Sequence, residues 1–130
     1  MPMKAAHILL SAGLLFLVGC ASPSGPQPER GPDGTVAYYV PVDSSEPGAR
    51  IDVNGETVGK TPMTLKIFGD RDGTFHNFGS YDFIVKAFPP GTGREPQTKI
   101  YKTGALFARE DKIPQRIYFD FGPPRSTKNP

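Results

Sequence analysis

The 130-residue chain has one cysteine, two histidines and no window long enough for a stable amphipathic helix that is free of glycine and proline, apart from a marginal run at Ala105–Lys112. Each shortage excludes something. A single thiol, Cys20, cannot form an internal disulfide, so the domain must be held by packing alone. Beyond the first residues His76 is the only imidazole, and metal centres built from histidine and cysteine need several ligands. Neither Gly-x-Ser-x-Gly nor His-Glu-x-x-His occurs. No catalytic residue, metal site or cofactor is therefore assigned, and the chain reads as non-enzymatic. Asp70-Arg71-Asp72-Gly73 opens like a calcium loop but lacks the later ligands, and reads as a solvated turn. Long runs of one charge are also missing. The formal net charge is +2, and the lysines Lys60, Lys66, Lys86, Lys99 and Lys102 stand singly, so nucleic acid is not an expected partner.

What is present begins at the N-terminus. Lys4 precedes the apolar run Ala5–Leu17, which spans about 20 Å as a helix and falls short of the roughly 30 Å bilayer core. The run ends in Leu17-Val18-Gly19-Cys20, which resembles the bacterial lipobox. That resemblance implies removal of residues 1–19 as a lipoprotein signal peptide and acylation of Cys20, which anchors the chain in a membrane of the bacterial cell envelope. Only Lys4 leaves the charged set, so the mature chain stays near neutral. In a cell with two membranes, Ala21 after the cysteine implies the outer one, facing the periplasm. Residues 20–34, with Pro23, Pro26, Pro28 and Pro32 among glycines and no large apolar side chain, are expected to form a disordered tether. Residues 122–130 read as a disordered tail.

Between Thr35 and Phe121 the apolar period is two. Val36, Tyr38 and Val40; Ile51 and Val53; Met63, Leu65 and Ile67; Tyr81, Phe83 and Val85; and Ile117, Phe119 and Phe121 each mark a strand with one buried face. Thr98–Lys102 is a weaker strand. Ile84 falls on the outward side, which implies a central strand covered on both faces. Strands about ten residues apart predict an all-β domain over residues 35–121, a small antiparallel β-sandwich. Asn54-Gly55 predicts a type I′ hairpin turn, since both of its central residues need positive φ.

These turns carry a family resemblance. Glu46-Pro47-Gly48-Ala49, the strand Arg50–Val53, the Asn54-Gly55 turn, Gly59-Lys60-Thr61-Pro62 and Leu65 together resemble the PEGA domain. Gly79-Ser80-Tyr81-Asp82-Phe83-Ile84-Val85 is similar to a later strand of that family, and Phe68–Phe78 stands between the two as an insertion. The resemblance implies a small all-β binding or structural module of the envelope.

The expected function is thus a lipid-anchored module that binds another envelope protein; the alternative is binding of cell-wall or surface glycan. Tyr39, Tyr101 and Tyr118, with Phe75, His76 and Phe78 of the insertion, are the candidate binding residues, because exposed aromatic rings stack on sugars and anchor protein contacts. The insertion phenylalanines have two readings: they close one end of the sandwich, or they present an aromatic patch to a partner.

Overall fold

The computed structural model describes residues 26–125. The expected signal peptide, Cys20, the first part of the expected tether and the last five residues of the expected tail lie outside the described residues. No helix among the described residues is long and apolar enough to cross a membrane.

Seven strands follow one another: β1 (Val36–Ser44), β2 (Arg50–Val53), β3 (Glu56–Lys60), β4 (Met63–Gly69), β5 (Asp82–Phe88), β6 (Gln97–Lys102) and β7 (Ile117–Phe119). They form two sheets, ordered β4-β1-β7 and β3-β2-β5-β6. Val40, Val42, Leu65, Ile67, Ile117 and Phe119 from the first sheet meet Ile51, Val85 and Ala87 from the second in one core. The period-two pattern therefore found every strand but β3, which was implied only as the far arm of the Asn54-Gly55 hairpin, and the small all-β class holds. Pairing is antiparallel throughout except between β1 and β7, which run parallel. The long connection from Thr103 to Arg116 lets the chain change sheets and return in the direction of β1, which a tight hairpin cannot do.

The β2–β3 hairpin turns on Asn54 (φ 49°) and Gly55 (φ 84°), the two positive angles a type I′ turn requires. Asn54 has a second task. Its backbone N–H donates to the Ile84 carbonyl and its side-chain oxygen accepts from the Ile84 N–H, both at 2.9 Å, so the turn is pinned to β5. A bulge between Ile51 and Asp52 shifts the register of β3 and leaves Val58 exposed.

Between β1 and β2 the chain reverses through Glu46-Pro47-Gly48-Ala49, and Thr61 holds that reversal from the other side. Gly48 N–H donates to the Thr61 carbonyl (2.8 Å), Thr61 N–H to the Ala49 carbonyl (2.9 Å), and Ala49 N–H to the Thr61 hydroxyl (3.0 Å). The same hydroxyl lies 2.6 Å from that of Ser44 at the end of β1. Ala49 is fully buried and Thr61 nearly so, which leaves no water to replace these bonds.

Four expectations are corrected. Residues 29–34, assigned above to the tether, fold back on β1. Ala37 N–H donates to the Glu29 carbonyl (2.8 Å), Gly31 N–H to the Thr35 carbonyl (2.9 Å), and a Cβ on Gly31 would stand 2.3 Å from the Phe68 ring. Composition missed this because the arm contributes backbone bonds and a glycine platform instead of apolar side chains. Gly122–Arg125, assigned to the tail, keep contacts too, with Arg125 N–H donating to the Gly93 carbonyl (3.1 Å). Ala105–Lys112 forms no helix, because Ala105 and Ala108 close a tight turn. Ile84 lies on a central strand, as expected, but its outward face is only half-buried.

Replacing Thr61 by valine keeps the shape and removes the hydroxyl, leaving the Ala49 N–H and Ser44 hydroxyl without that partner. The Thr61→Val variant is expected to lose about 1–3 kcal/mol in a chemical melt. An unchanged midpoint refutes the staple.

Candidate functional site

The expected insertion Phe68–Phe78 gives its first two residues to β4, and the rest is a built loop with an inside and an outside. Asp70 N–H donates to the Thr74 carbonyl (2.9 Å) and Gly73 N–H to the Asp70 carbonyl (3.0 Å). Asp72 accepts from both the N–H and the hydroxyl of Thr74, which holds its carboxyl below the usual aspartate range. Asp70 accepts from Tyr38 through its carbonyl and lies 2.8 Å from His76 Nδ1 through its carboxylate. Both aspartates are therefore engaged within the loop. Among the described residues no group of three or more histidine, cysteine, aspartate or glutamate side chains is placed to hold a metal ion.

A strap from Gly104 to Ile113 ties this loop to the far sheet. Phe75 N–H donates to the Asp111 carbonyl (3.0 Å), Ile113 N–H to the Gly73 carbonyl (2.8 Å), and Asp111 N–H to the Lys102 carbonyl (2.8 Å). The strap passes so close to β4 that a Cβ on Gly69 would lie 2.3 Å from Ile113 Cδ1 and 2.7 Å from the Thr74 carbonyl oxygen. Phe75 is thereby driven inward. It is 2% exposed, with ring centroids 5.0 Å from Phe83 and 5.1 Å from Tyr101.

The candidate residues consequently separate. Phe75 belongs to the core. Tyr101 faces it from the inner side of β6, and burial pushes its hydroxyl pKa up. Neither offers a free ring to a ligand, because the strap and the paired register of Phe83 with Tyr101 turn both inward. Phe78 is half exposed and packs on His76 at 4.5 Å between ring centroids. Tyr39 and Tyr118 lie on the outer face of the β4-β1-β7 sheet. Tyr118 stands opposite Asp43, four residues along β1 from Tyr39, so their rings are about 13 Å apart along the strand and form no single platform. The Tyr39 hydroxyl donates to Glu29 (2.7 Å), which also takes Lys66 Nζ at 2.9 Å. These bonds, that of Tyr39 first, lower the Glu29 pKa, and the bond to Glu29 raises that of Tyr39.

Two exposed surfaces remain. At the loop end, Asp70, His76, Tyr81, Leu106 and Glu110 line an open cleft of about 500 Å³. Tyr81, Leu106 and Phe107 are the exposed apolar residues around it, and motif reading missed all three as candidates. The signal was Gly104-Ala-Leu-Phe-Ala108, two bulky apolar residues among small ones, which is poor helix and good turn. The second surface is the outer face of the β3-β2-β5-β6 sheet. There Ile84 pairs with Ile100, Arg50 lies 4.0 Å over the Phe88 ring, and Lys86 stands 5.1 Å from the same ring.

Residues 37–71 match the family model of the PEGA domain. The match takes in β1 from Ala37 onward, which the motif reading from Glu46 onward did not reach, and stops inside the insertion. It supports a binding or structural module. Neither the comparison with curated proteins nor that with solved structures found a match.

Two predictions follow from these placements. Phe75→Ala is expected to destabilise the domain by about 3–5 kcal/mol, whereas Phe78→Ala is expected to change it by less than about 0.5 kcal/mol; a urea melt of both variants checks the split. Glu29 has its pKa depressed by folding, so its contacts contribute above the ordinary glutamate range and fade as pH falls through the lower folded value. The amide protection factor of Ala37 is expected to drop at that acid limb, and Glu29→Gln is expected to reproduce the drop at neutral pH. Equal protection in the glutamine variant refutes the link.

Proposed function

We propose that the chain is a lipid-anchored, non-enzymatic module of the bacterial cell envelope that binds another envelope protein. The outer face of the β3-β2-β5-β6 sheet is the binding surface. The observation that carries this reading is the outward Ile84–Ile100 pair, with Phe88 four residues along the same face of β5 between the cationic groups of Arg50 and Lys86. A face that carries an aromatic ring with an arginine over it and an outward pair of branched aliphatic side chains has the residue types enriched at protein interfaces. Outward isoleucine on a central strand wants cover, and within the described residues no element packs over it. The PEGA match agrees with a binding module, and the lipobox motif supplies the anchor at Cys20. A protein partner is favoured over glycan because the tyrosines that would stack on sugar are dispersed, with Tyr101 turned inward.

The test uses the acylated full-length protein. Ile100→Lys alters a side chain that is 54% exposed, so its melting midpoint is expected to hold within about 0.5 kcal/mol. Recovery of crosslinked partner from detergent-solubilised envelopes is expected to fall at least about tenfold, equivalent to about 1.4 kcal/mol. Unchanged recovery overturns the surface. Sedimentation of the protein with purified, protein-free cell wall favours the glycan reading instead. Cys20→Ser is expected to abolish lipid labelling, and wild-type protein that takes up no lipid label removes the anchor.

A further inference from the structure

Leu106 and Phe107 are 89% and 97% exposed, the most exposed of the large apolar residues among those described. They form the tip of a two-residue turn closed by reciprocal bonds, Ala105 N–H to the Ala108 carbonyl (2.9 Å) and Ala108 N–H to the Ala105 carbonyl (3.2 Å). Gly104, Ala105 and Ala108 flank them and are too small to shelter either side chain. The turn is fixed to the body, since the Asn77 side-chain amide donates to the Gly104 carbonyl (2.8 Å) and Asp111 ties back to Lys102. It is therefore a built apolar protrusion. Tyr81, 66% exposed, and Phe78, 51% exposed, stand on the adjoining loop.

The path of the chain says what faces this protrusion. The N-terminal arm joins β1 at the same end of the sandwich, where the Asp33 carboxylate lies 3.9 Å from His76 Nε2. Only Ala21–Pro28 separate Cys20 from the ordered Glu29, a span of about 30 Å even when fully extended. An acyl chain at Cys20 thus keeps the arm, and the loop end it joins, within about 30 Å of the lipid and within reach of it. We propose that Leu106 and Phe107 enter the outer part of the bilayer and form a second, non-covalent membrane contact. Tyr81 and Phe78 then stand at headgroup depth, where aromatic side chains are favoured.

A convex two-residue tip is a poor protein interface, because a stable one buries about 800 Å² on each partner with shape complementarity. Lipid demands no such fit. The anchor also raises the effective concentration of the tip at the bilayer, so a contact too weak to bind alone is populated. The proposal rests on acylation of Cys20 and leaves the outer face of the four-stranded sheet free at the side of a seated domain.

Cys20 is the only thiol of the wild-type chain and is consumed by acylation, so a cysteine introduced elsewhere is the only one free to label. Acylated full-length Phe107→Cys, and Thr98→Cys on the exposed sheet face as control, carry an environment-sensitive fluorophore. Both are reconstituted in vesicles of phosphatidylethanolamine with a minor fraction of phosphatidylglycerol. The label at 107 is expected to emit to the blue of the label at 98, and spin-labelled lipid is expected to quench it about threefold more strongly. Adding Leu106→Asp is expected to return it to water-like emission. Equal, water-like emission at both positions with acylation intact overturns the tip contact and leaves the anchor standing. Emission that shifts only when envelope protein is added assigns the tip to a protein and overturns the bilayer contact. Wild-type protein without acyl label overturns the anchor and, with it, the geometry that brings the tip to lipid.

Discussion

The Thr61 hydroxyl is the interaction on which the rest of the structure depends. It lies where the last residue of β1, the reversal before β2 and the step between β3 and β4 converge, and it bonds to the first two of them while the Thr61 backbone bonds to the second from both sides. β1 and β2 belong to different sheets, so this small buried network sets how the two layers are joined at one end of the sandwich. A single oxygen that accepts from Ala49 and pairs with Ser44 achieves a placement that apolar packing, which is non-directional, does not specify. The other end is closed differently. There the insertion and the strap close the sandwich by driving Phe75 between Phe83 and Tyr101.

Most of the fold was legible in the sequence because half-buried strands write themselves as alternation. The Asn54-Gly55 turn was legible for a local reason, the need for two positive φ angles. Its second role, pinning β5 through the Asn54 side chain, was not, since nothing near Asn54 names Ile84 as a partner thirty residues away. The parallel β1–β7 pair was hidden for the same reason: alternation reports which face of a strand is buried and is silent on direction. The arm at Glu29–Gly34 was misread because its composition is that of a linker, and its order comes from backbone bonds and from a glycine lying under Phe68.

The candidate residues show the same divide. Aromatic content flagged the insertion, yet one phenylalanine of it lies in the core and another at the surface, and only the strap decides which. Tyr101 looked like a free ring and is an inner-face residue, because its register with Phe83 fixes its side of the sheet. Leu106 and Phe107 went unflagged because a helical reading of Ala105–Lys112 gave both side chains a notional face to bury. Ile84 was the most telling misfit. Its outward position signalled a covered face, and the described residues leave that face half open.

The folded-back arm changes what β1 offers to other chains. β1 pairs with β4 along one side, while its other side is divided between the arm, bridged at Val36, and β7, paired from Val42 to Ser44. The short gap between them contains Pro41, which has no N–H to donate. A row of free donors and acceptors that would template a foreign strand is thus broken into pieces too short to use. Copies held side by side at high density can then crowd without zipping together along β1, the seam that six residues of linker-like composition close at its start.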